Sequence, residues 1–168
     1  ITTIYIGGGT PLALSIPHLE TLLQTIKSVV MVNQVVEFSI ETNPNNITSD
    51  KIKLLRHYGV NRLSIGIQTF DEKHLDFLGR DHTIHDIQTS IALLKSMKFP
   101  NISIDMMFSL VHQTVEELQY DITHALQLDV DHIDGDGSNN DKYNLQTICA
   151  NCHRLKTHTN EDWKSKNV

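Results

Sequence analysis

The sequence predicts an α/β fold, a partial (βα) barrel of parallel strands that carries a small C-terminal ββα hairpin-helix module. Three observations carry that expectation. Strand-like and amphipathic segments alternate from residue 1 to about 128 at roughly thirty-residue spacing, the length of one strand–helix–strand unit. Hydroxyl-bearing caps precede the amphipathic stretches. Beyond Leu128 the composition changes character.

The strand-like runs are Thr3–Ile6, Val35–Glu41, Arg62–Gln68 and Ile102–Phe108, each rich in β-branched or aromatic residues. Between and after them the apolar residues recur at helical spacing in Pro17–Val30, Ser49–Tyr58, Ile84–Met97 and Val115–Leu128. Thr83 with Asp86, and Thr114 with Glu117, have the T-x-x-D/E arrangement that satisfies the first free amides of a helix. Ser15 before Pro17 fits the same capping role, with proline where no amide is required. Repeated strand–helix units imply parallel strands joined by right-handed crossovers. Four units and a fifth strand at Val130–Ile133 are too few for a closed eight-stranded barrel, so the barrel is expected to be open, with its functional groups at the C-terminal strand ends.

The chain is expected to divide into residues 1–128, the barrel, and 129–168, a separate module. Asp129–Asp141 is dense in Asp, Gly and Asn, Asn144–Cys149 is a short apolar run, and Cys152–Lys166 is polar and helical at first. Hydrophobic content of 39% and charged content of 20% are ordinary for a soluble globular protein. No apolar run approaches membrane-spanning length, and the start Ile1-Thr2-Thr3 has neither basic region nor cleavage site, as if cut from inside a longer protein at a strand. A net charge of −6 argues against broad nucleic-acid affinity, and residues 129–168, with seven acids against five Lys and Arg, are not basic either. The two cysteines, Cys149 and Cys152, form a C-x-x-C pair beside His153, which suits metal binding and a reducing cytoplasm better than a structural disulfide.

Gly7-Gly8-Gly9-Thr10-Pro11 follows the first strand, and such a turn brings backbone amides close to a carboxylate or phosphate. In order after it come Ile40-Glu41-Thr42-Asn43-Pro44, Gly59 to Gln68, Gly79-Arg80-Asp81-His82 and Asn101 to Asp105. Over residues 1–133 this series resembles the radical SAM proteins of the coproporphyrinogen oxidase group, most nearly the HemW-type haem chaperones. The resemblance implies an S-adenosylmethionine (SAM) pocket with contacts from Gly8, Gly9, Thr10, Glu41, Gln68, Arg80 and Asp105, and haem or porphyrin as a partner. Glycine amides would meet the methionyl end, Glu41 and Asp105 would accept from amine or ribose hydroxyls, and Arg80 would pair with the carboxylate. The family's C-x-x-x-C-x-x-C loop, which holds a [4Fe–4S] cluster, belongs before the first strand, and no cysteine precedes Cys149. A residual SAM pocket without radical chemistry is the expectation. Val111 also stands where the family usually has proline, and the family's later segment is replaced by other sequence.

Asp131-His132, Asn144-Leu145 and Cys149-x-x-Cys152-His153 with Lys156 resemble HNH endonucleases. That resemblance implies a magnesium or manganese ion held by Asp131 and His153, His132 as general base, Asn144 pinning the hairpin loop, and Arg154 and Lys156 touching DNA phosphate. Cys149 and Cys152 suggest zinc, but a tetrahedral site needs four ligands, the upstream C-x-x-C partner is absent, and His158 supplies a third at best; free thiols packed under the hairpin are the equal alternative. The two resemblances meet at Leu128–Ile133, so a chimera joined there is expected. The first strand, left as an open edge, predicts self-association.

Overall fold

The computed structural model describes residues 1–128. The fifth strand at 130–133 and the whole of the 129–168 module, with Asp131, His132, Asn144, Cys149, Cys152 and His153, lie outside the described residues.

Four parallel strands, β1 (Thr3–Ile6), β2 (Glu37–Thr42), β3 (Arg62–Gln68) and β4 (Asn101–Met106), are ordered β1-β2-β3-β4 in one sheet. The crossover after β1 is α1 (Ile16–Val29), after β2 it is α2 (Ser49–His57), and after β3 the chain makes α3 (Glu72–Phe77) and α4 (Ile84–Ser96). Helix α5 (Val115–Gln127) follows β4. Sequential order with helical crossovers is the arrangement of an opened (βα) barrel. Among the described residues β1 pairs on one side alone, with Thr3 opposite Glu37 and Ile6 opposite Ile40, so it is an edge.

The two faces of the sheet differ in chemistry. Along one face run Ile4 and Ile6, Phe38 and Ile40, Leu63, Ile65 and Ile67, then Ile102, Ile104 and Met106. These join one core with Leu19 and Leu23 of α1, Ile52 and Leu55 of α2, Ile87, Ile91 and Leu94 of α4, and Ala125 of α5. The alternate positions form the other face: Tyr5; Glu37, Ser39 and Glu41; Arg62, Ser64, Gly66 and Gln68; Ser103 and Asp105. Register sets them side by side, with Tyr5 opposite Ser39, Glu41 opposite Ser64, Ser64 opposite Ser103 and Gly66 opposite Asp105. Parallel strands covered on both faces are usually apolar throughout. Here every second residue is polar or glycine.

The caps of α4 and α5 are the expected capping boxes: Thr83 accepts from the Asp86 amide and Thr114 from the Glu117 amide, each acid answering to the cap amide. Ser15 is a correction. It makes no cap hydrogen bond to α1; its hydroxyl lies 3.1 Å from His18 Nδ1 instead. A second difference is α3, six residues that are too short for periodicity to reveal. Its signal is Asp71, whose carboxylate accepts from the amides of Lys73 and His74. Strand β2 starts at Glu37, two residues later than expected, because Val32–Gln34 forms a 3₁₀ turn that ends at Val35.

A cavity of about 480 Å³ opens between the C-terminal ends of α1 and α2, lined by Lys27, Met31, Arg56 and Tyr58. Its cations are engaged: Lys27 lies over the Tyr58 ring and Arg56 donates to the Met97 carbonyl. Both stand in the last turns of their helices, where a positive charge complements the helix dipole.

Candidate functional site

The polar face ends, at the C-terminal edge of the sheet, in the residues expected to form a pocket. The turn after β1 carries Gly8 at φ 94° and Gly9 at φ 77°, a backbone region that any side chain would strain. A Cβ at either position would meet nothing within 4 Å, so the turn is open above its amides. Thr10 begins the 3₁₀ turn Pro11–Ala13, its carbonyl accepting from the Ala13 amide at 2.9 Å. From α2, Lys51 Nζ donates to the Leu12 carbonyl at 2.6 Å and anchors the segment. Desolvation holds the Lys51 pKa below its ordinary value.

Glu41, in β2, joins the turn to the sheet. The Gly8 amide donates to Glu41 Oε2 at 2.9 Å, and the Tyr5 hydroxyl donates to Oε1. A Cβ at Gly7 would fall 2.5 Å from the Tyr5 ring and 2.9 Å from the Glu41 carboxyl carbon, so glycine is what lets these two side chains meet there.

Asp105, in β4, receives the Ser64 hydroxyl, which lies 3.1 and 3.0 Å from its two oxygens. Burial pushes the Asp105 carboxyl up to about 6; the Ser64 hydrogen bond opposes the rise, Glu41's negative charge adds to it, and Arg62 lowers it. Two carboxylates on one face, one with its pKa raised toward neutrality, can accept hydrogen bonds from a ligand's hydroxyl or ammonium.

Gln68 ends β3 at φ 69°, where the register against β4 shifts between Gly66 and Gln68. Its amide nitrogen folds back over the strand, so close to Gly66 that a Cβ there would lie 2.7 Å away. Arg80 follows α3, the next element, with its amide bonded to the Leu75 carbonyl. Its Nε is buried without a partner. Glu41, Gln68 and Asp105 stand at the C-terminal ends of β2, β3 and β4; among the described residues Arg80, in the loop after α3, is not hydrogen-bonded to any of the three.

Several contributors were not singled out from the sequence. Ser64 and Tyr5 become partners of Asp105 and Glu41 through register, which no short pattern announces. His82 is buried, its Nε2 lying 3.3 Å from the Ile67 carbonyl and its Nδ1 left without a partner. Burial lowers its pKa; the Ile67 carbonyl raises it, and the Arg80 charge lowers it further. A neutral imidazole that donates from Nε2 presents an unmet acceptor at Nδ1. Among the described residues no cluster of three His, Cys, Asp or Glu could hold a metal ion, and no helix is long and apolar enough to cross a membrane.

Comparison with known proteins matches residues 1–125 to the Radical SAM superfamily. The chain is 42% identical over 133 residues to the haem chaperone HemW of Bacillus subtilis, covering 79% of this chain and 35% of that protein. It thus spans about a third of the length of that curated relative. Among solved structures, coproporphyrinogen III oxidase (HemN) of Escherichia coli aligns with a TM-score of 0.69 at 20% identity, over 96% of this chain and 41% of the other. The radical SAM methyltransferase TsrM of Kitasatospora setae, solved with cobalamin and a [4Fe–4S] cluster, aligns with a TM-score of 0.61 at 17% identity over 77% and 26%.

Proposed function

The chain belongs to the Radical SAM superfamily, and from that premise we propose that residues 1–128 form the SAM-binding portion of a HemW- or coproporphyrinogen oxidase-like core. The observation that carries this is the polar sheet face, on which Tyr5, Glu41, Ser64, Gln68 and Asp105 lead up to an open Gly8-Gly9 turn. A zwitterionic nucleoside ligand needs such a set: turn amides for a carboxylate, carboxylates for an ammonium and ribose hydroxyls, and a guanidinium with an unpartnered N–H. Gly8, Gly9 and Thr10 would bind the methionyl end with Arg80, while Glu41, Gln68 and Asp105 would orient the amine and ribose.

The superfamily pairs SAM with a [4Fe–4S] cluster, which supplies the electron that cleaves SAM. The described residues hold no cysteine, and the 168 residues hold two, fewer than the three thiolates the family's loop supplies. The proposal for this stretch is therefore binding of SAM. A relation to haem or porphyrin is supported by the similarity to HemW and HemN. Titration calorimetry with SAM tests the reading: binding in the micromolar range or weaker is expected, and no heat on injection overturns it.

A second reading concerns residues 129–168. Its support is the ordered pattern Asp131-His132, Asn144, Cys149-x-x-Cys152-His153. On that reading the segment nicks DNA with magnesium or manganese, His132 acting as base, Asn144 as loop pin and Asp131 and His153 as metal ligands, with zinc at Cys149 and Cys152. A plasmid-nicking assay comparing the chain with His132→Ala decides it: equal cutting by both rejects the assignment.

A further inference from the structure

Asp121, in the second turn of α5, has no solvent exposure at all and is the one fully buried acid among the described residues. No helix needs a carboxylate there for its own sake. Asp121 faces the exit of β3: Oδ2 accepts the Thr69 hydroxyl at 2.8 Å and Oδ1 accepts the Phe70 amide at 2.6 Å. The Thr69 hydroxyl oxygen accepts in turn from the Asp71 amide at 3.1 Å, and Asp71 caps α3, the helix that leads to Arg80.

This network brackets Gln68. The Thr69 amide donates to the Ile67 carbonyl at 2.9 Å, closing a three-residue turn with Gln68 at its centre, and the Gln68 carbonyl accepts the Met107 amide at 2.8 Å. Gln68 is held at φ 69°, a conformation that costs a non-glycine residue on the order of 1–3 kcal/mol and persists where its surroundings over-determine it. The residues following Gln68 are over-determined by Asp121. Burying an acid is unfavourable unless its oxygens are met, and these are met by the segment that follows Gln68.

We propose that Asp121 is a positioning residue for the SAM pocket, holding the β3 exit so that Gln68 keeps its left-handed backbone and its side-chain amide lies over Gly66 on the polar face. The inference rests on the SAM reading above.

The test uses the full chain and its variants Asp121→Asn, Asp121→Ala and Thr69→Val, with Ala125→Gly on the same helix as a control for general destabilisation. Two readouts are taken: amide hydrogen exchange at Phe70 without ligand, and the dissociation constant for SAM. The expected result is that Asp121→Ala speeds Phe70 exchange at least a hundredfold and weakens SAM at least tenfold. Asp121→Asn, which keeps one acceptor, falls between, and Thr69→Val weakens SAM severalfold with Phe70 still protected. Ala125→Gly is expected to lower the melting temperature yet leave SAM affinity within twofold. If Asp121→Ala does not fold, Asp121→Asn and Thr69→Val decide the matter. Phe70 exchange unchanged in the Asp121 variants, or SAM affinity lost equally in Ala125→Gly, overturns the proposal. Failure of the unaltered chain to bind SAM overturns the pocket reading and the ligand half of this inference, while the exchange data still decide whether Asp121 holds the β3 exit.

Discussion

The Gly8 amide donates to the Glu41 carboxylate at 2.9 Å, tying the turn after the first strand to the second. The bond consumes one amide of the turn. Replacing Gly8 or Gly9 with alanine meets no steric obstacle, so its cost is the left-handed backbone alone, about 1–2 kcal/mol. Urea denaturation of Gly8→Ala should show that loss, together with weaker SAM binding; an unchanged midpoint would mean that the turn relaxes without strain.

Gly66 makes a sharper case, because it separates binding from stability. Its backbone is not left-handed, so alanine there adds no strain, but the new Cβ would lie 2.7 Å from the Gln68 amide nitrogen. That nitrogen is the end of a flexible side chain and will move. Gly66→Ala is therefore expected to keep or slightly raise the melting temperature while weakening SAM severalfold. Equal affinity would show that the position of the Gln68 amide does not matter to the ligand.

Asp105 sets a pH dependence of defined sign. Its folded pKa of about 6 stands above the ordinary carboxylate value, so in the folded state the proton is held more tightly. Below about pH 4 both states are protonated and Asp105 contributes nothing. Between about pH 4 and 6 the unfolded chain loses its proton first, and stability falls as pH rises, by no more than roughly 3 kcal/mol. Asp105→Asn should remove this slope, leaving the variant more stable than the unaltered chain at pH 7 and about equal at pH 4. Denaturation at the two pH values measures it; parallel curves would contradict the assignment.

The two capping boxes predict a simple ledger. Thr83→Ala and Thr114→Ala each remove a side-chain acceptor from the first turn of a long helix and should each cost about 1 kcal/mol. The caps serve different helices and share no partner, so the double variant should cost the sum. A shortfall would show that one of the helices frays at its start in any case.

Much of the fold was legible because it depends on short-range pattern. Strands β1 and β3 have the expected ends, the four long helices differ from expectation by a residue or so at each end, and both Thr-x-x-acid caps form. Ser15 departs because a hydroxyl beside a histidine has a competing partner. The candidate site residues could be named from sequence as a set, but their geometry could not. Glu41 and Asp105 could be named from the series of motifs, yet their partners Tyr5 and Ser64 follow from which strands are neighbours and in what register. Asp121 was hidden more deeply. In the sequence it is one acid among several on an amphipathic helix, and only the approach of Thr69 and Phe70 from fifty residues away distinguishes it.

The alternation of apolar and polar positions along all four strands has an evolutionary consequence. Residues that hold the helices down and residues of the polar face are interleaved one for one, yet they never share a position. The chemistry of the polar face can thus drift by substitution while the hydrophobic layer stays untouched. A slip of one strand by a single residue would exchange the two roles wholesale, and insertion or deletion within a strand is the change this architecture tolerates least.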